Sequence, residues 1–106
     1  MKLITAITEA SRLAYEEDEN QVVGQIPGDG WAIATKEDVG RQCRMTKEPV
    51  FIVTGTGLSA AEVMDTMERA GIDGDQDWQN ETTTYVFDEC VFKVNGPSVE
   101  VDEIAF

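Results

Sequence analysis

Apolar residues return every three or four positions at the start of the chain. Leu3, Ile4, Ile7, Ala10, Leu13 and Ala14 form a stripe, with Thr8, Glu9, Arg12 and Glu16 between them, which predicts an amphipathic helix. Glu16-Glu17-Asp18-Glu19 places four carboxylates at the negative pole of its dipole, so the last turn is expected to fray before a stop at Asn20. The period then changes from 3.6 towards 2. Gln21 to Ile26 and Trp31 to Thr35 are β-prone runs around Pro27-Gly28-Asp29-Gly30, the pattern of a hairpin. Residues 36 to 48 carry few recurring apolar positions and read as a loop or one helical turn.

Val50-Phe51-Ile52-Val53-Thr54 is continuously apolar over a strand's length, as in a central strand covered on both faces. Gly55-Thr56-Gly57 breaks it. Ser59-Ala60-Ala61-Glu62 has the form of a capping box, and Val63, Met64, Met67 and Ala70 stripe a second helix closed by Gly71. Residues 72 to 81 are polar and acidic and read as a loop. Thr82 to Phe87 then reads as a strand, and Cys90 to Val94 continues or restarts it. Asn95-Gly96 marks a hairpin, and Val99 to Asp102 returns with strict alternation. The expectation is one α+β domain over residues 1–106, two helices packed on a largely antiparallel sheet of about five strands.

Composition narrows the function more than any motif does. The 106 residues are 42% hydrophobic, enough to fold, and carry a net charge of −13. A surface this acidic repels nucleic acid and anionic membranes, because phosphates are held by Lys and Arg. No apolar run is long enough to cross a bilayer, and Met1-Lys2-Leu3-Ile4-Thr5 lacks the apolar centre of a secretory leader. Two cysteines, Cys43 and Cys90, without CxxC spacing favour a reducing cytoplasm and a role as small buried hydrophobes. There is no histidine, so the commonest general base and metal ligand are missing. No nucleophile accompanies the carboxylate neighbours Asp88-Glu89 and Asp102-Glu103, and the expectation is a protein that is not an enzyme and uses no cofactor or metal.

Three local patterns compete with blander readings. Gly55-Thr56-Gly57-Leu58-Ser59-Ala60 matches G-x-G-x-x-A between a strand and a helix, with Asp73 or Asp75 at the distance of a ribose-binding acid. The chain is much shorter than a doubly wound domain, however, so a plain strand-to-helix turn is favoured over a nucleotide site. Asp73-Gly74-Asp75-Gln76-Asp77 opens like an EF-hand loop, yet Trp78 stands where Gly must turn and Thr84 where Glu must ligate, which excludes one. Lys36, Arg41, Arg44 and Lys47 are half of the eight bases, and are expected to neutralise nearby acids rather than to form an anion site.

The distribution of charge is the strongest functional signal. Residues 1–61 hold nine acids and six bases, whereas residues 62–106 hold twelve acids and two bases. Such asymmetry creates a negative field that speeds encounter with a basic partner. Trp78, set among acids and amides, reads equally as an interface anchor and as a side chain folded back on the core. In size, acidity and lack of motif the chain resembles small acidic phage-encoded anti-defence proteins, the anti-CRISPR and DNA-mimic inhibitors. The resemblance is one of composition and carries no residue correspondence. It implies a cytoplasmic inhibitor, in the host cytoplasm if phage-encoded, that occupies the basic nucleic-acid-binding surface of a protein or ribonucleoprotein and binds neither nucleic acid nor membrane. Carboxylates would stand in for phosphates there, and the partner-binding candidates are Asp73, Asp75, Asp77, Trp78, Glu81, Glu100, Asp102 and Glu103. Two alternatives remain: an acidic interaction module that forms a homo-oligomer through the β edge near Val99 and Val101, and a small ligand-binding domain at Gly55-Thr56-Gly57.

Overall fold

A computed structural model of the chain describes residues 1–26, 28, 30–35 and 47–104. Lys36, Arg41, Cys43 and Arg44, and the turn residues Pro27 and Asp29, lie outside the described residues. The elements run α1 (Leu3–Glu17), β1 (Gln21–Ile26), β2 (Gly30–Thr35), β3 (Lys47–Thr54), β4 (Gly57–Leu58), α2 (Ala60–Arg69), β5 (Asp75–Asp77), β6 (Thr82–Phe87), β7 (Cys90–Asn95) and β8 (Ser98–Glu103). The α+β class holds, with two helices among the described residues. The single sheet of about five strands does not. Two four-stranded antiparallel sheets form instead, in the orders β2-β1-β3-β4 and β5-β6-β7-β8.

The two sheets share one core. Side chains alternate across a strand. Val23, Phe51 and Val53 therefore point from the first sheet to the same side, where Tyr85, Cys90, Phe92 and Val94 of the second meet them. Phe51 stacks on Phe92 with ring centroids 5.3 Å apart, and Trp31 meets Phe87 edge-on at 6.0 Å. The Trp31 indole N–H donates to Asp88 at the β6–β7 turn, which ties the first hairpin to the second sheet. Helix α1 closes the core with Leu3, Ala6, Ile7 and Ala10, and α2 with Ala60, Val63 and Met67.

Helix α1 stays helical to Glu17 despite the acids at its end, with Asp18 in the left-handed region as its C-cap. Arg12 offsets part of the repulsion. It donates to Glu9 and to Glu16, the latter at 2.6 Å, and holds the Glu9 carboxyl below the usual carboxylate range. Helix α2 ends as the pattern predicts. Gly71 takes φ +74°, its N–H donates to the Glu68 carbonyl, and the Ile72 N–H donates to the Met67 carbonyl, a Schellman closure. Its start is simpler than a capping box, since Ser59 sits at the cap position without a side-chain capping bond.

Lys47 and Glu48 belong to a strand rather than to a loop. Strand β3 lies between β1 and β4, but Pro49, Phe51 and Val53 are buried while Val50, Ile52 and Thr54 are half-buried, so it alternates. Its register against β1 shifts between Val23 and Gln25, where Pro49 has no N–H to donate. The buried Thr66 hydroxyl of α2 bridges this irregularity. It accepts from the Val50 N–H at 3.1 Å and donates to the Val50 carbonyl at 3.0 Å.

A candidate acidic interface on the second sheet

The chain expected to be an acidic loop contains the edge strand β5, and this decides where its carboxylates point. Asp75 pairs with Thr84 and Asp77 with Thr82, so both aspartates face away from the core. Across the sheet one outer row runs Asp75, Thr84, Lys93, Glu100, and the next runs Asp77, Thr82, Asn95, Ser98. A third row holds Val86, Val91 and Asp102. Four of the eight candidate residues, Asp75, Asp77, Glu100 and Asp102, thus share one outer face. They occupy its two edges, and the middle is Thr82, Thr84, Val86, Val91, Lys93 and Asn95. Strands pack about 4.8 Å apart, so the three steps from β5 to β8 set the two acidic rows roughly 14 Å apart.

Trp78 and Glu81 sit in the turn that joins β5 to β6, at one end of this face. Trp78 is 83% exposed, so it does not fold back on the core. The turn is held by Asp77, whose carboxylate accepts from the backbone N–H groups of Gln79 and Asn80 and, at 2.8 Å, from the Asn80 side-chain amide. These donors, the Asn80 amide above all, hold the Asp77 carboxyl below the usual range and keep it ionised. Asp73 lies before β5, in a separate hollow with Glu68 and Tyr85 under the end of α2.

Glu103 does not join the face. Its cross-strand partner is Cys90, which places it on the opposite side of the sheet, where it pairs with Lys2 at 3.3 Å. Of the eight candidates, Asp73 and Glu103 thus lie off the outer face. The other described acids lie on α1 and just beyond it at Asp18 and Glu19, at Glu48 in β3, on the outward side of α2 and at the Asp88-Glu89 turn. Lys93 was missed among the candidates. Its signal was present, since a period of two from Phe92 inward puts Lys93 outward.

The Gly-rich turn, expected to lead from a strand straight into a helix, closes a hairpin instead. Thr54 pairs with Gly57, so Gly55 and Thr56 are the loop of a β3–β4 hairpin, with Gly57 at φ +99°. The Thr54 hydroxyl accepts from the Thr56 N–H at 3.3 Å and donates to the Gly57 carbonyl at 3.1 Å. The Thr56 N–H is thus already engaged by Thr54, and the helix starts three residues beyond Gly57, so this is a hairpin loop and not a strand-to-helix turn. Cys90 is buried, and burial together with Asp88 and Glu103 pushes its thiol up, the reverse of a reactive cysteine. No described helix is long and apolar enough to cross a membrane. Comparison with known families, curated proteins and solved structures finds no match to the chain.

Proposed function

We propose that the chain is a non-enzymatic inhibitor that covers the basic nucleic-acid-binding surface of a protein or ribonucleoprotein, acting as a mimic of DNA. The observation that carries this reading is the pair of acidic rows on the outer face of the second sheet. Asp75 and Asp77 stand about 7 Å apart along one edge, Glu100 and Asp102 about 7 Å apart along the other. The rows lie roughly 14 Å from each other, comparable with the phosphate rails that flank a major groove about 12 Å wide. A surface that grips those rails with Lys and Arg meets the same charge at similar spacing here. The acidic composition, like that of anti-CRISPR and DNA-mimic inhibitors, supports the same reading, and a host-cytoplasmic site of action is part of the proposal.

The alternative of a homodimer through β8 is weaker on electrostatic grounds. That edge carries Glu100, Asp102 and Glu103, and a second copy would set like charges together across the new ladder.

The test is capture from a bacterial lysate at low and high salt, followed by gel shift of the eluted protein with its own nucleic acid. The chain should displace the nucleic acid, and the triple variant Asp75→Asn, Glu100→Gln, Asp102→Asn should lose most of that competition. Undiminished competition by the triple variant, or capture insensitive to salt, would overturn the reading.

A further inference from the structure

Beside the flat acidic face, the β5–β6 turn forms an open hollow of about 290 Å³ lined by Gln76, Asp77, Trp78, Glu81, Thr82 and Thr83. Its chemistry is one-sided: two carboxylates, an indole, an amide, two hydroxyls and no cation. Most indoles bury much of their 150–250 Å², yet Trp78 stands 83% exposed at the wall of this hollow. The volume lies at the lower end of ligand pockets, about 300 Å³, which suits one side chain rather than a cofactor.

An aromatic face flanked by carboxylates selects a cation, and flatness selects which one. A guanidinium is planar, weakly hydrated, stacks on an indole and donates up to five N–H groups; an ammonium is compact and strongly hydrated. A carboxylate has about four lone-pair sites. Three donors of the turn already use the Asp77 carboxylate, whereas Glu81 has its full capacity open. Glu81 also holds φ +53°, a backbone conformation costly for a non-glycine residue.

We propose that this hollow receives an arginine side chain of the partner, with the guanidinium stacked on Trp78 and donating chiefly to Glu81 and secondarily to Asp77. The inference rests on the reading of the chain as an inhibitor of a basic surface, and names the group recognised at one end of the acidic face.

The probe is Nα-acetyl-arginine amide, titrated into the ¹⁵N-labelled full chain and followed by NMR, with the citrulline and lysine counterparts in parallel. The two indole N–H signals are assigned with a Trp78→Phe variant. The expected result is a saturable shift of the Trp78 indole and of the Asn80, Thr82 and Thr83 amides with arginine, a weaker one with lysine and none with citrulline. Trp78→Ala and Glu81→Gln should each weaken arginine binding about two- to fivefold. Equal shifts with citrulline, non-saturating shifts spread over the whole acidic face, or affinity unchanged in Glu81→Gln would overturn the proposal. The three probes on the unsubstituted chain decide the matter even if a variant folds poorly. Failure is separable from failure of the wider reading, because the Asp75, Glu100, Asp102 triple variant leaves the hollow intact. Loss of competition in that variant with no arginine in the hollow removes this inference alone; arginine in the hollow with undiminished competition removes the wider reading alone.

Discussion

Gly74 is where the acidic edge meets the rest of its sheet, and a methyl group there tests the placement of β5. A Cβ on Gly74 would lie 2.7 Å from Thr83 Cγ2, 2.8 Å from Tyr85 Cε1 and 3.0 Å from Tyr85 Cζ. Optimal carbon contacts are about 3.5–4.0 Å, so something must move. Neither neighbour yields easily, because Tyr85 is buried and Thr83 is β-branched and stiff at χ1. Overpacking of this kind costs about 1–3 kcal/mol. The entropy that Ala removes from the unfolded chain returns about 0.4–1 kcal/mol, which leaves Gly74→Ala destabilising by about 1–2 kcal/mol. At 4–8 °C per kcal/mol for a domain of this size, Tm should fall by about 4–16 °C. Gly71→Ala should cost about 1–2 kcal/mol for a different reason, since Gly71 sits at φ +74° with open space around it. Thr83→Ser separates the two mechanisms, because it deletes Cγ2. Urea unfolding of the double-mutant cycles should show coupling of at least about 0.5 kcal/mol between Thr83→Ser and Gly74→Ala, and additivity with Gly71→Ala. A neutral Gly74→Ala, or an additive Gly74–Thr83 cycle, would refute the packing of this segment on β6.

Three further outcomes follow from polar contacts. Thr66→Val removes the hydroxyl that serves the Val50 N–H and C=O beside Pro49, and should cost about 1–3 kcal/mol in urea unfolding; a neutral result would sink the bridging role. Asp88→Ala strips the Trp31 indole N–H of its acceptor and should cost about 1–3 kcal/mol, with Asp88→Asn, which keeps a carbonyl oxygen, recovering much of it. Equal losses in both would show that the acceptor oxygen does not matter. The Asp77 carboxyl titrates below its ordinary value in the folded chain because Asn80 and Gln79 donate to it. Its contribution is therefore complete above the unfolded aspartate value and is lost as pH falls through the lowered folded one. Asn80 and Gln79 amide signals should move in that acid window, and in Asp77→Asn this movement should vanish.

Where local periodicity and burial agree, the fold was legible. The Leu3–Ala14 stripe, the Gly71 closure and the Thr82–Phe87 strand are set by helix or strand period and by one residue free to take positive φ. The split into two sheets was not legible, because it depends on Phe51 and Phe92 meeting across 41 residues of sequence. Two-residue connections hid two more features. Asp88 and Glu89 both adopt positive φ, as a type I′ turn requires, although neither is the Gly or Asn that usually announces one. In the last hairpin Asn95 pairs with Ser98, so the loop is Gly96-Pro97 and the expected Asn-Gly signal lies one residue early. The β3–β4 hairpin likewise took over a turn that its glycines alone make compatible with an anion site.

Whether the acids form a face at all depends on register, which composition does not contain. A strand presents alternate residues to opposite sides, so a slip of one residue in β5 would turn Gln76 outward and fold Asp75 and Asp77 towards Tyr85. Burial alone does not forbid that slip, since all three residues of β5 are exposed, Gln76 included. Alternation acts on β8 through Val99 and Val101, whose inward positions force Glu100 and Asp102 outward. β5 has only three residues and no apolar anchor of its own, so its register is held from its two ends. Gly74 allows the approach at one end, and the Asp77 turn fixes the other. The arrangement of charge is thus a consequence of packing on the inner face. Gly74→Ala, at a position outside both the acidic rows and the Trp78 hollow, should weaken partner capture as well as stability, whereas Gly71→Ala at equal cost in stability should leave capture of the folded protein unchanged.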